Sequence, residues 1–335
     1  MDWDIIGHEW AVRLLQNHIR SGRRQHAYLF TGPQGVGRRT LALRLAQALN
    51  CPSPQAPGIP CGVCTTCRQI AALQHPDLYV IEAERSGGTL KVEQIRELQH
   101  NLALAPYAGA YKIALLLRFE EAHPSAANAL LKTLEEPPPR VILLLTASDP
   151  DALLPTIVSR CEVLRLRPLA VETLSQALQN QRQIPPETAR LVAHTSDGRP
   201  GYAIRLHERP EHIEARRQAL ATLFDLLPAN RVARFAAAET LAAGRDTLSE
   251  TLLLWLSLWR DVLLCSSGAR LPLTNLDYEA QIRALGAALP IEAADACLKS
   301  LQITLERIEK NVNPRLALEV FLLDMPRLAG IPEAA

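Results

Sequence analysis

Apolar positions follow two patterns along this chain. From residue 27 to 166, short all-apolar runs alternate with stretches whose apolar residues recur every three or four positions; beyond about residue 212 only the second pattern continues. The runs at 27–31, 77–81, 112–117, 141–146 and 163–166 are predicted strands, and the continuous apolar character of 112–117 and 141–146 suits strands buried on both faces. Residues 5–20, 41–50 and 91–104 are predicted helices, 156–161 a short helical turn, and the helix containing Asn128 is stopped by Pro137, Pro138 and Pro139. Strands alternating with helices predict a mostly parallel sheet covered by helices on both faces. Beyond it, the segments 212–227, 230–244, 248–266, 278–289, 291–311 and 314–328 each carry helical spacing, and Asn313 followed by Pro314 is a good helix start. The helix around Trp255 and Trp259 is apolar on nearly every side. That suits either an ordinary core helix or an intersubunit contact.

Composition narrows the class. A chain of 335 residues with 48% hydrophobic content can fill two or three cores, and with only 4% aromatics those cores must be Leu, Ala, Val and Ile. The 36 basic and 35 acidic residues leave a net charge of +1, which supplies no overall field for DNA or an anionic membrane. A nucleic-acid contact would need a local patch. Arg20, Arg23 and Arg24 could form one, although a solvated helix end is the leading reading of them and a DNA contact the minority one. The N-terminal string MDWDIIGHEW is acidic and short of apolar length, and the run 252–259 is too short to cross a bilayer. A soluble, cytoplasmic protein is expected.

The strand at 27–31 leads straight into Gly32-Pro33-Gln34-Gly35-Val36-Gly37-Arg38-Arg39-Thr40, and a helix follows. In a phosphate loop of this kind, glycines let backbone N–H groups curl around phosphate oxygens, a Lys reaches the β- and γ-phosphates, and a Ser or Thr hydroxyl holds Mg²⁺. Here Arg38 stands where the Lys belongs, Arg39 where the hydroxyl belongs, and Thr40 is one residue late. Arg is planar and longer than Lys and does not simply replace it in a tight cradle. In a working ATPase of this class, the strand at 112–117 would end in acids that hold metal and polarise water. It runs instead into Arg118 and Phe119, with Glu120 and Glu121 beyond the strand tip, where they read as first-turn acids of a helix. The backbone cradle (Gly32, Gly35, Gly37, Arg38, Arg39, Thr40) survives without its metal-holding groups. ATP binding is expected to be weak or absent, and hydrolysis is not expected.

After that helix come Cys51, a proline-rich loop, and Cys61, Cys64 and Cys67. Two overlapping CxxC spacings and a fourth Cys ten residues earlier can supply four thiolates to one tetrahedral Zn²⁺. Pro52, Pro54, Pro57 and Pro60 stiffen the loop and lower the entropy of closing it. The other reading is four reduced, unliganded thiols. Four Cys ligands leave no open position for a catalytic water, so the metal would be structural. Cys265 and Cys297 read as plain buried thiols.

The glycine loop with its four-Cys insert, His75-Pro76-Asp77, the string from Asn128 to Pro138 and Ser159-Arg160-Cys161 together resemble the bacterial clamp-loader subunits of DNA polymerase III. The resemblance is strong over the first 210 residues and continues through Asn311-Val312-Asn313-Pro314-Arg315 and onward to Glu319. It implies an α/β AAA+ core at 1–166 with a zinc insert at 51–67, a helical lid at 167–207 and an all-helical collar at 208–335, with a polar linker at 207–211. It also implies that Arg160 is an arginine finger reaching the ATP site of an adjacent subunit; a surface Arg paired with a carboxylate is the alternative. Active relatives place a nucleotide-sensing Arg near Gly201, where this chain has none, although Arg199 and Arg205 are close. The implied function is a non-catalytic scaffold within a DNA-directed DNA polymerase holoenzyme. It would work beside tau or gamma ATPases and delta in a hetero-oligomer that loads a sliding clamp on primed DNA. An AAA+ ATPase of the gamma or tau kind, using Arg38 in place of Lys, is the alternative. A zinc-dependent DNA-binding module is a third reading, and it requires steeply salt-dependent DNA affinity.

Overall fold

The computed structural model describes residues 3–84, 88–269, 271–310, 312–328 and 330. It divides into two compact units, Met1–Ala170 with Arg199–Tyr202, and Val171–Gly198 with Ala203–Ala335.

The first unit is built on β1 (Ala27–Thr31), β2 (Leu78–Ile81), β3 (Lys112–Leu116), β4 (Val141–Ala147) and β5 (Glu162–Arg165). They form one five-stranded sheet in the order β2-β3-β4-β1-β5, every pair parallel, with Leu29 opposite Leu145 on one side and Val163 on the other. The three central strands are buried at every position, whereas the edge strands β2 and β5 are partly exposed, as a sheet covered on both faces requires. Alternate residues face opposite cores. Tyr28, Phe30, Leu115 and Leu144 pack with Leu15, Leu41 and Leu45 from α1 (Glu9–Arg20) and α2 (Arg38–Asn50); Leu29, Leu116 and Leu145 pack with Leu98 and Leu130 from α4 (Val92–Leu102) and α5 (Pro124–Glu135). The parallel sheet covered by helices on both faces that the sequence predicts is the one observed.

Three local features depart from the sequence reading. Residues 5–8 do not join α1, because Gly7 and His8 both adopt left-handed backbone (φ 73° and 60°) and a Cβ at Gly7 would lie 2.6 Å from Leu169. A helix the periodicity missed, α3 (Thr65–Ala71), starts at Cys64, whose Sγ accepts from the Cys67 amide. The motif residue Asp77 is fully buried and accepts the amides of Tyr107, Ala108 and Gly109, each at 2.7 Å, while Asn50 bonds both the amide and the carbonyl of Tyr111. Two side chains thus hold the loop that feeds β3. A four-residue helix, α6 (Pro155–Val158), precedes β5.

The second unit contains α7 (Val171–Arg182), α8 (Pro186–Thr195), the larger part of α9 (Pro200–Glu208), α10 (Pro210–Leu226), α11 (Arg231–Ala243), α12 (Arg245–Ser266), α13 (Glu279–Ala288), α14 (Ile291–Glu309) and α15 (Pro314–Asp324). The polar stretch 207–211 is not an extended linker. Arg209 alone separates α9 from α10, because Pro210 takes the first position of a new helix, where its missing N–H costs nothing. Trp255 and Trp259 are fully buried in this unit's own core with Leu252, Ile282, Leu301 and Phe321, and Trp255 Nε1 donates to the Ala219 carbonyl at 2.7 Å. Arg234, 4% exposed, donates to the carbonyls of Leu226, Leu227, Leu322, Met325 and Pro326 at 2.6–3.1 Å and so closes the C-terminal ends of α10 and α15. Asn313 caps α15 as expected, accepting from the amides of Arg315 and Leu316. Asn311, Met1, Asp2 and residues 331–335 lie outside the described residues. Among the described residues no helix is long and apolar enough to cross a membrane.

Candidate functional site

The glycine loop leaves the C-terminal end of β1. Gly32 (φ 136°) lies so close to its neighbours that a Cβ would stand 2.1 Å from the Leu166 carbonyl oxygen, and its amide donates to Ser148 O at 3.1 Å. Gly35 (φ 85°) and Gly37 (φ 115°) carry the turn, and Gly37 ends it as the N-cap of α2. Three groups hold the loop by its carbonyls: His8 Nε2 meets Val36 O at 3.0 Å, the Gly201 amide donates to Gly35 O at 2.8 Å, and Arg199 Nη1 reaches Gln34 O at 3.4 Å. Burial lowers the His8 pKa, so the neutral ring donates from Nε2. A Cβ at Gly201 would be 3.0 Å from Gly35 O, so a glycine here lets backbone meet backbone.

Arg38 opens α2 and is half-buried; burial lowers its pKa, the Glu120 carboxylate works against that, and Arg118 adds to it. Arg38 Nη1, Glu120 Oε2 and Glu121 Oε2 are buried with no hydrogen-bond partner. Glu120 and Glu121 are first-turn acids as expected, of the short 3-10 turn Phe119–Glu121 rather than of α5. Arg118 takes left-handed backbone (φ 47°) and the 3-10 turn Phe119–Glu121 reverses the chain, so Glu120 Oε1 accepts the Ser148 amide at 3.0 Å beside the end of β4. Glu121 Oε1 pairs with Arg118 Nε at 2.9 Å, and α5 starts later, at Pro124, capped by His123. Arg39 and Thr40 are exposed. The loop presents backbone amides and one cation already faced by a carboxylate, with no hydroxyl at the metal position.

Arg160 lies at the other end of the sheet. It precedes β5, which pairs in parallel with β1, so the sheet separates it from the loop. The six residues from Arg160 to Leu166, near the loop, correspond to roughly 20 Å of extended chain. Its Nη2 pairs with Glu135 Oε1 at 2.8 Å, and its Nη1 donates to Thr156 O at 2.9 Å and, at 3.5 Å, to Ser159 Oγ. Next to it, burial pushes the Cys161 thiol up to about 12.

The four cysteines of the insert converge. Their Sγ atoms all lie within 4.8 Å of one another, against about 3.8 Å between thiolates around a tetrahedral zinc with 2.3 Å bonds. Backbone amides of Cys61, Cys64 and Cys67 donate to the sulfurs of Cys51, Cys61 and Cys64 at 3.3–3.4 Å. The amides of Cys64 and Val63 pull the Cys61 thiol down to about 6, while burial pushes Cys51 and Cys67 up. Four sulfur donors at this separation, in a loop already closed, fit a metal ion. The insert is tied down by Trp3 Nε1 to Gly58 O (2.8 Å), Arg20 Nε to Pro57 O (3.1 Å) and Gln47 Nε2 to Cys67 O (2.7 Å). Arg24 stacks over the Tyr111 ring at 5.2 Å. Two of the three basic residues of that turn thus have intrachain work.

The family model described as DNA polymerase III, delta subunit, matches residues 7–170, and the one described as DNA polymerase III, delta subunit, C terminal, matches residues 210–326. The chain belongs to the DNA polymerase III delta-subunit family. Relatives of this family chain include the DNA polymerase III subunit delta' of Pseudomonas aeruginosa, 42% identical over 56% of this chain and 57% of that protein. The delta' subunit of Bacillus subtilis is 33% identical over 65% and 64%, and the tau subunit of Salmonella typhimurium 39% identical over 58% and 30%. The chain therefore spans from under a third to just under two thirds of the length of these relatives. For this delta-subunit-family chain, the sequence singles out the loop, the cysteines and Arg160, and the structure brings the four cysteines together. Sequence reasoning missed Glu135, Glu120 and His8, since each meets its partner across at least 25 residues and no spacing rule links them.

Proposed function

We propose that this chain acts as the delta prime subunit of a DNA polymerase III clamp loader. It is a cytoplasmic, non-hydrolysing scaffold that lends Arg160 to the ATP site of a neighbouring tau- or gamma-type ATPase while the assembly, with delta, loads a sliding clamp on primed DNA. The observation that carries the reading is the separation of the two chemistries. Arg160 sits at the N-terminal end of β5, too far to serve this chain's own loop, which opens at the C-terminal end of the parallel neighbour β1. If Arg160 touches a phosphate, the phosphate belongs to another subunit.

At that neighbour's site the guanidinium would offset charge on the transferred phosphoryl group, an effect worth roughly 10³ to 10⁵ in rate where arginine fingers operate. In this chain's own loop, Arg38 lacks the point charge of a Lys and faces Glu120, and Arg39 replaces the metal-holding hydroxyl. ATP would be held weakly by backbone amides, if held at all. Cys51, Cys61, Cys64 and Cys67 would hold a structural Zn²⁺ that fixes the insert. In this reading residues 1–166 are the AAA+ core, 167–207 the lid and 208–335 the collar.

The test is reconstitution with an ATP-hydrolysing partner. Arg160→Ala should leave assembly intact and cut turnover at the site it serves by a factor on the order of 10³. Undiminished turnover would remove the finger from the account. A second reading, an ATPase of the gamma or tau kind, draws on the 39% identity to the tau subunit and on the intact glycine backbone. Mg²⁺-dependent ATP hydrolysis by the isolated chain would favour it.

A further inference from the structure

We infer that Glu135 is a positioning residue for Arg160, an assignment that rests on the arginine-finger reading above. Glu135 is the last residue of α5, fixed there by the prolines that stop the helix, and Arg160 follows the single turn of α6. The two are 25 residues apart in sequence and meet at 2.8 Å through Glu135 Oε1 and Arg160 Nη2. The Thr156 carbonyl takes Nη1 at 2.9 Å, so both terminal nitrogens of the fork are engaged from within the chain.

A guanidinium carries five N–H donors. The carboxylate and the carbonyl take one each and the long Ser159 contact a third, and the remaining donors leave an open edge on a side chain 35% exposed. An Arg in the turn after a one-turn helix, without such contacts, samples many rotamers, and the freedom it would lose on meeting a phosphate slows the productive encounter. Glu135 removes that freedom in advance and aims the open edge outward. The pair itself is exposed, Glu135 being 52% accessible, so its contribution to folding is small and its loss should leave the fold intact.

The test uses the reconstituted complex with its ATP-hydrolysing partner. Glu135→Ala should lower kcat for ATP about tenfold, with KM and assembly unchanged. Glu135→Gln, which keeps an acceptor oxygen in place, should restore at least half of the lost activity, whereas Glu135→Asp, with its acceptor drawn back by one methylene, should behave like Glu135→Ala. In the Arg160→Ala background, Glu135→Ala should cost nothing further, because the two act as one unit. Full activity in Glu135→Ala beside a dead Arg160→Ala overturns the positioning role and leaves the finger standing, as would faster turnover in Glu135→Ala. Activity unaffected by Arg160→Ala overturns both. Loss of assembly in Glu135→Ala with normal kcat in Glu135→Asp would make the pair purely architectural and also overturn the inference.

Discussion

Asp77 shows how one side chain can order a loop. Its carboxylate is fully buried, which raises its pKa, but the amides of Tyr107, Ala108 and Gly109 donate to it and together bring the value below the ordinary 3.8. A carboxylate whose pKa is lower folded than unfolded contributes stability that is complete above its unfolded value and is lost as pH falls through the folded one. Asp77→Asn should therefore cost about 2–3 kcal/mol at neutral pH, since an amide cannot accept from three N–H groups with the same geometry or charge. Urea unfolding at pH 7 and at pH 3 checks this. The variant should differ from the parent at pH 7, and the gap should narrow at pH 3. A gap that widened in acid would contradict the sign. Arg38 and Glu120 illustrate the same balance at the loop, where burial lowers the pKa of a half-buried cation and a carboxylate of the same chain raises it.

At the scale of elements, the Cys insert is a small module pinned to α1 by Arg20, to α2 by Gln47 and to the segment before α1 by Trp3. In the proposed reading, in which the four thiolates hold zinc, stripping the metal should melt the insert and lower the Tm by about 5–10 °C, and Cys64→Ser should do the same without chelator. Elemental analysis showing one zinc per chain, together with melting curves with and without chelator, checks the outcome; an unchanged Tm would contradict it. The strands and long helices were legible in the sequence because continuous apolar runs and three-four spacing each have one structural solution, as β4 and α12 show. The loop glycines and the cysteines were legible because their chemistry fixes their spacing. What was not legible depends on backbone handedness or on distant partners. Left-handed Arg118 brings Glu120 back to the sheet, left-handed His8 shortens α1, and Pro210 turns a polar linker into the start of a helix.

At the scale of the molecule, one parallel sheet keeps the glycine loop at one end and Arg160 at the other, and the two family models match residues 7–170 and 210–326. A net charge of +1 supplies no overall field that would hold DNA to this chain by itself. The sheet supports the proposed role: in the proposed ring, the degenerate loop would face one neighbour and Arg160 the other. The most direct test is ATP turnover measured for this chain alone and for a partner with a complete phosphate loop, before and after this chain is added. The account predicts no turnover by the chain alone and a large acceleration of the partner that requires Arg160. Hydrolysis by the isolated chain, or equal acceleration by Arg160→Ala, would contradict it.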